Sequence, residues 1–142
     1  MFGICTDLHH DLIFDSHKHL GAFINAMNES NVDFIIQLGD FCFTQSHNRS
    51  ILDLWNTFDS PSYHVIGNHD LEFSTSVDEV VDFYGMVAAY YSFDFNGESS
   101  YLLDPVSISS LISKIRPAII ETASPNFTGR TESKAGNHYE LF

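Results

Sequence analysis

The sequence of 142 residues is 44% hydrophobic and 14% aromatic, which predicts a folded chain with one core rather than a disordered chain. With 19 Asp and Glu against 6 Lys and Arg, its formal net charge of −13 argues against nucleic-acid binding driven by counterion release. No apolar run approaches the ~20 residues of a membrane span, and no basic and apolar leader precedes the first strand. The two cysteines are far apart in the sequence and indicate no disulfide scaffold. We therefore expect a cytoplasmic protein.

Strands and helices are predicted to alternate over residues 1–97. Helices are indicated by apolar residues at i, i+3, i+4 and i+7 spacing, and strands by short apolar runs. In chain order we expect a strand at 2–6, a helix at 16–29, a strand at 32–38, a helix at 50–58, a strand at 63–66, a helix capped by Ser74 or Thr75 and ended by Gly85, and a strand at 90–95. This order favours a parallel α/β layer, and Phe34-Ile35-Ile36 predicts a strand covered by helices on both faces.

The character of the chain changes after Gly97. Asn96-Gly97 is a hairpin turn signal, and residues 98–103 are weakly strand-like. Farther on we expect a helix after Asp104-Pro105, a strand at 117–122, a partner strand at 127–131 and a polar tail at 133–142. We interpret residues 1–142 as a single domain, with an α/β half at 1–97 and a shortened C-terminal half at 98–142.

Three of the predicted strands end in residues that can bind metal. Asp7 and His9 follow the first strand, Asp40 follows the second, and Asn68 follows the third. Because neighbouring parallel strands lie ~4.8 Å apart, side chains at their ends can meet at one point. Asp, His and Asn form a ligand set suited to Mn, Fe or Zn, and one carboxylate such as that of Asp40 can bridge two ions ~3.5–4 Å apart.

These motifs carry a family resemblance. Asp7-x-His9, Gly39-Asp40 and Gly67-Asn68-His69-Asp70, in this order and each at a strand end, resemble the motifs of the calcineurin-like metallophosphoesterases, and the resemblance covers residues 1–97. It implies an αββα sandwich that hydrolyses a small-molecule phosphomonoester or phosphodiester. It also implies a dinuclear centre of Mn, Fe or Zn, with a metal-bound hydroxide as the nucleophile.

The same resemblance implies a role for each motif residue. Asp7 and His9 would hold the first metal, Asp40 would bridge, and Asn68 would hold the second metal. His69 would stabilise or protonate the leaving oxygen, with Asp70 orienting its imidazole.

The second half departs from the family pattern. Family members carry a later histidine ligand and a Gly-His-x-His motif, whereas the one histidine after residue 97 is His138, in a different context. Residues 117–142 resemble the family's closing segment, so we expect that a central block is absent between about Gly97 and Ser110. This leaves three family ligands in the first metal site and two in the second. An apolar face would also be left bare, which a homodimer could cover.

Two alternatives remain open. The chain could be a truncated, catalytically impaired domain that acts as a binding or interaction module. Asp40 could instead be the phosphoacceptor of a receiver-like domain, although Asp7 with Asp11 fits the required acidic pair poorly and Lys114 falls in a predicted helix. The remaining histidines have no motif support and are interpreted as surface residues or neighbours of the site: His10, His17, His19, His47 and His64.

Overall fold

The computed structural model describes residues 1–74, 76–95, 98–103, 119–122, 133–134 and 137–138, with side chains described as far as residue 93. The strands are β1 (Phe2–Cys5), β2 (Phe34–Gln37), β3 (Ser62–His64), β4 (Tyr91–Phe95), β5 (Glu98–Leu103), β6 (Ile119–Thr122), β7 (Ser133–Lys134) and β8 (Asn137–His138). The helices are α1 (Ser16–Glu29), α2 (Arg49–Trp55) and α3 (Val77–Tyr84), with short 3-10 helices at Ser46–Asn48 and His69–Leu71.

The main sheet has four parallel strands in the order β3-β2-β1-β6. Phe2 is paired with Phe34 on one side and with Ile119 on the other, so β1 is central. The carboxyl ends of β1, β2 and β3 therefore lie at one edge of the sheet, as the sequence predicts.

One face of this sheet is covered by helices. Gly3 lets α1 lie close against β1, because a Cβ at this position would be 2.4 Å from the sulfur of Met27. The periodic residues predicted for α1 are buried here together with side chains of α2 and α3: Leu20, Phe23, Ile24, Met27, Trp55 and Val80. The predicted bounds of α1 are confirmed at both ends.

The other face is covered by a strand, so the prediction of helices on both sides of the second strand is wrong. Tyr91 and Phe93 of β4 pack on the apolar side chains that β1 and β2 direct to this face. Phe93 stacks on Tyr63 with ring centroids 3.8 Å apart and an interplanar angle of 12°. Both faces of β2 are buried, as expected, but the second cover is an aromatic strand rather than a helix.

The predicted inclusion of the fourth strand in the parallel layer is also wrong. β4 pairs antiparallel with β5, with Tyr91 opposite Leu103 and Phe95 opposite Glu98. The Asn96-Gly97 signal lies between the two strands, and a connection of two residues joins antiparallel neighbours, since a parallel return needs a longer crossover. β6, from the predicted strand at 117–122, pairs with β1 instead.

Some of the remaining predictions for the C-terminal half fall outside the described residues, and others can be compared with the structure. The predicted helix after Asp104-Pro105, the partner strand at 127–131 and most of the proposed gap near 97–110 lie outside the described residues. Within the predicted polar tail, β7 and β8 form a short antiparallel pair. None of the described helices is both long enough and apolar enough to cross a membrane.

Helix α3 begins one residue later than a cap at Thr75 predicts and two residues later than a cap at Ser74 predicts. The Ser76 side chain accepts a hydrogen bond from the Glu79 amide at 3.2 Å, so Ser76 is the N-cap rather than Ser74 or Thr75. Gly85 ends the helix in the left-handed conformation with φ of 68°, as predicted.

Candidate metal centre

The loops that follow β1 and β2 run side by side beyond the ends of the strands. The amide of Asp7 donates to the Gly39 carbonyl at 3.3 Å, and the amide of His9 donates to the Asp40 carbonyl at 2.9 Å. This pairing joins the two loops just beyond Cys5 and Gln37, the last paired residues of the two strands. It therefore places Asp7 and His9 beside Asp40.

Asp7, His9 and Asp40 form a cluster in which one ligand atom from each lies within 4.8 Å of the others. Nε2 of His9 is 3.8 Å from Oδ1 of Asp7 and 3.9 Å from Oδ2 of Asp40. These separations are too long for hydrogen bonds. Three atoms that each lie ~2.0–2.2 Å from one ion can be up to about 4 Å apart, so the spacing suits a shared cation.

The backbone of the cluster is in an uncommon conformation. Asp7, His9 and Asp40 have φ values of 53°, 43° and 54°, and they are three of the four non-glycine residues with positive φ in the described part of the chain. Such conformations cost free energy and collect at functional sites. The surrounding hydrogen bonds keep all three in this form.

The loops after β2 and β3 touch through two glycines. A Cβ at Gly39, whose φ is 101°, would lie 2.8 Å from the Cα of Gly67. A Cβ at Gly67 would lie 2.3 Å from Oδ1 of Asp40. The same Oδ1 accepts the amide of His69 at 2.9 Å, so the second loop is anchored against the third. Oδ2 of Asp40 is left facing His9.

Asp70 joins these loops through their main chain. Its carboxylate is fully buried, and it accepts the Tyr84 hydroxyl at 2.7 Å and the Gly67 amide at 2.7 Å. Burial raises the pKa of the Asp70 carboxyl, and the hydrogen bonds that it accepts act in the opposite direction. Its three other donors are the amides of Asp40, Phe41 and Cys42, at 3.1, 2.9 and 3.3 Å.

A residue that the sequence did not single out, Glu72, lies beside the imidazole of His69. Nδ1 of His69 lies 3.3 Å from Oε1 of Glu72, while both carboxylate oxygens of Asp70 bind other groups. His69 and Glu72 are three residues apart across a single 3-10 turn, and this geometry places their side chains on one side. The i, i+3 spacing after the motif histidine was the signal that could have found Glu72.

The residues present fit a metal ion. Nδ1 of His9 and Nε2 of His69 are buried without a hydrogen-bond partner, although their rings meet edge to face with centroids 4.6 Å apart. Thr6 donates to Oδ2 of Asp7 at 2.5 Å, which leaves Oδ1 facing His9. A donor set of two carboxylates and an imidazole suits divalent transition metals.

Asn68 lies beside this cluster on a shared cleft. The cleft has a volume of about 430 Å³ and is lined by Thr6, Asp7, Leu38, Gly39, Asp40, Ile66, Gly67, Asn68, Leu71, Val77, Ala89 and Tyr90. The Asn68 side chain is exposed there and has no role in the sheet. All four predicted metal ligands are therefore brought to one edge of the molecule.

His64 is a core residue rather than a surface residue, and it neighbours the site through Tyr84, whose hydroxyl binds Asp70. It is 6% exposed, and its ring stacks on Tyr84 with centroids 4.8 Å apart. Nε2 of Gln37 lies 3.2 Å from its Nδ1, which gives the neutral ring a polar partner. Burial lowers the pKa of His64 to about 3.

Asp11 stabilises the loop after β2. The sequence assigns it no role other than a possible place in the acidic pair of a receiver-like site. Its carboxylate accepts the Phe43 amide at 2.6 Å and the Asn48 side-chain amide at 2.5 Å. His47 lies 3.8 Å from it, and His10 pairs with Ser16 at 2.8 Å. Burial lowers the pKa of His10. His17 and His19 are exposed, as expected.

Comparisons with known proteins support one family. The family model for calcineurin-like phosphoesterases matches residues 1–125. Among solved structures, a novel archaeal phosphodiesterase aligns with a TM-score of 0.51 and 16% identity over 99% of this chain and 81% of its own. A dimetal phosphatase from Danio rerio aligns with a TM-score of 0.48 and 19% identity over 57% of this chain and 32% of its own, so this chain spans about a third of that protein.

The structural likenesses concern the fold, and a search of curated proteins found no match. The family model covers most of the sequence, including every predicted metal ligand and the motif histidine. The α/β architecture and the order of the motifs at the strand ends agree with it. The chain belongs to the calcineurin-like phosphoesterase family.

Proposed function

We propose that this chain is a metal-dependent phosphoester hydrolase with a dinuclear metal centre. The observation that carries the proposal is the cluster of Asp7, His9 and Asp40, whose ligand atoms lie within 4.8 Å of one another at the carboxyl edge of the sheet. Asp7, His9 and Asp40 would hold the first ion, and Asp40 and Asn68 would hold the second. Bound divalent ions supply positive charge against the phosphoryl oxygens and make water more acidic.

Side chains of this protein position the metal ligands and supply the proton for the leaving group. Asp40 is fixed through Oδ1 by the His69 amide, so that Oδ2 is directed toward His9. His69 donates a proton to the leaving oxygen, and Glu72, whose Oε1 lies 3.3 Å from Nδ1 of His69, is placed to orient the ring. Asp70 is a positioning residue, since it binds the amides of the loops that carry the ligands rather than the imidazole.

The direct test is hydrolysis of p-nitrophenyl phosphate and bis(p-nitrophenyl) phosphate by metal-stripped protein to which Mn²⁺, Zn²⁺ or Fe²⁺ is returned. We expect turnover that depends on the metal and falls at least about 100-fold in Asp40→Asn. Asp53→Asn is the matched control, because Asp53 is exposed on α2 and does not line the cleft. Equal rates in the two variants, or no metal-dependent turnover, would refute the proposal.

A non-catalytic binding module is the second candidate. The observation in its favour is that the second ion has two assigned ligands, Asp40 and Asn68, where a catalytic metal ordinarily has three protein ligands. Calorimetric titration of Mn²⁺ separates the candidates. Two tight sites support the hydrolase, whereas one weak site without turnover supports the module.

A further inference from the structure

The cleft beside the metal cluster has two chemically different parts. Thr6, Asp7, Asp40 and Asn68 supply its polar part, which includes three of the proposed metal ligands. Apart from two glycines, the other lining residues are apolar or aromatic: Leu38, Ile66, Leu71, Val77, Ala89 and Tyr90. A phosphoester whose phosphoryl group lies at the polar part can place its substituent against the apolar part.

Exposed apolar side chains converge on this one concavity. Leu71, Val77 and Tyr90 are 36%, 41% and 66% exposed, yet all three line the cleft. They come from three segments: the end of a 3-10 helix, the first residue of α3 and the residue before β4. Single exposed apolar residues are ordinary, but three that share one cleft with metal-capable side chains indicate a ligand surface.

The charge of the cleft restricts the ligand further. Among the described residues that line it, none is Lys or Arg, and two are Asp. A substituent with an additional phosphate or carboxylate would find no cationic partner along this described part of the lining, in a chain with a formal net charge of −13. The volume of about 430 Å³ lies within the range of small-molecule sites, which is roughly 300–1,000 Å³.

We infer that the substrate is a small phosphoester with one uncharged apolar substituent, aryl or alkyl, that packs against Leu71, Val77 and Tyr90. This inference rests on the proposed function, because the proposed metal ligands fix the phosphoryl end. It identifies Val77 and Tyr90 as specificity-determining residues. Neither is a metal ligand or part of the proton-donating pair.

The test compares the binding of two phosphonates to the full chain in the presence of Mn²⁺ by calorimetry. Phosphonates lack the ester oxygen, so binding is measured independently of turnover. We expect phenylphosphonate to bind at least about 10-fold more tightly than methylphosphonate, because its ring buries apolar surface in the cleft. Equal affinities would overturn the inference and leave the proposed function intact.

Substitutions of Val77 and Tyr90 test whether these residues cause the preference for phenylphosphonate. Val77→Ser and Tyr90→Ser should each reduce the preference for phenylphosphonate by about 3- to 10-fold, and their thermal unfolding should match the parent because both side chains are largely exposed. Val87→Ser is the matched control, since Val87 is 85% exposed and lies outside the cleft. A preference that survives both cleft substitutions, or that Val87→Ser also reduces, would overturn the assignment of these residues.

Loss of the proposed function gives a different pattern. Binding of neither phosphonate would refute both the phosphoryl site and the inference. An intact phenyl preference without turnover of any phosphoester would refute hydrolysis alone.

Discussion

Asp70 and the cluster of Asp7, His9 and Asp40 lie at the same edge of the sheet but differ in how many of their polar atoms have hydrogen-bond partners. Asp70 is fully buried, and its two oxygens accept five hydrogen bonds. In the cluster of Asp7, His9 and Asp40, the facing atoms are 3.8–3.9 Å apart and a buried nitrogen of His9 has no partner. A saturated buried carboxylate stabilises the fold, whereas an unsaturated cluster retains capacity for a ligand.

The largest expected effect is the loss of stability when the fully hydrogen-bonded Asp70 carboxylate is removed. Asp70→Ala leaves four backbone amides and the Tyr84 hydroxyl without their acceptor, so we expect a loss of about 3–5 kcal/mol in the free energy of unfolding. Urea denaturation measures it, and Asp70→Asn, which keeps one acceptor oxygen, should lose less. A stability loss below 1 kcal/mol in Asp70→Ala would contradict the role given to this carboxylate.

A substitution in the cluster of Asp7, His9 and Asp40 should weaken metal binding without lowering the stability of the fold. Asp7→Asn removes a carboxylate ligand, so we expect Mn²⁺ affinity to fall about 100-fold, which is roughly 2.7 kcal/mol. Stability of the metal-free chain should be unchanged or slightly higher, because Asp7 and Asp40 repel each other there. Calorimetry and denaturation of the same variant measure both quantities. Unchanged metal affinity would show that Asp7 is not a ligand.

His64 provides a third, pH-dependent comparison, because Gln37 gives it a partner only as a neutral ring. Burial lowers its pKa from 6.5 to about 3, so the unfolded chain binds the proton more strongly. Its contribution to stability is therefore complete above pH 6.5 and is lost as the pH falls toward 3. We expect a loss of about 1–2 kcal/mol between pH 6.5 and 5. In His64→Gln this slope should be nearly flat; a slope equal to that of the parent would exclude His64 as its source.

The smallest expected effect concerns Glu72. Because this carboxylate is half-exposed, Glu72→Gln should leave stability unchanged but lower kcat for phenyl phosphate about 10-fold, a fraction of what a general acid contributes. The decrease should be smaller for p-nitrophenyl phosphate, whose leaving group needs less protonation, and Glu72→Asp should recover part of it. Equal decreases for both substrates would indicate that Glu72 does not act through His69.

The sequence predicted the convergence of metal-capable residues because that convergence follows from a general rule. Parallel strands end at one edge, so Asp7, His9 and Asp40 had to meet once the strands were correctly identified. The bounds of α1 followed equally from the spacing of its apolar residues. Periodicity and strand order are properties of the chain itself, and they require no knowledge of tertiary contacts.

The contacts that the sequence did not reveal are those that depend on the packed structure. Asp70 binds backbone N–H groups, which every residue except proline carries, so no side-chain pattern could indicate its partners. His64 is buried because Gln37 and Tyr84, distant in sequence, happen to surround it. β4 was assigned to the parallel layer because its alternation fits either sheet, and only the pairing with β5 separates the two.

The main-chain bonding of Asp70 has a consequence for substitutions at positions 41 and 42. Since Asp70 contacts the loop after β2 through N–H groups, these hydrogen bonds do not depend on the side chains of Phe41 and Cys42, which are held by the core instead. Proline is the exception, because it has no N–H to donate. The loop that carries Asp40 is therefore fixed in two independent ways, through its main chain by Asp70 and through its buried side chains by the core. A substitution at position 41 or 42 that the core accepts would leave the main-chain anchor, and with it the position of the Asp40 carboxylate, in place.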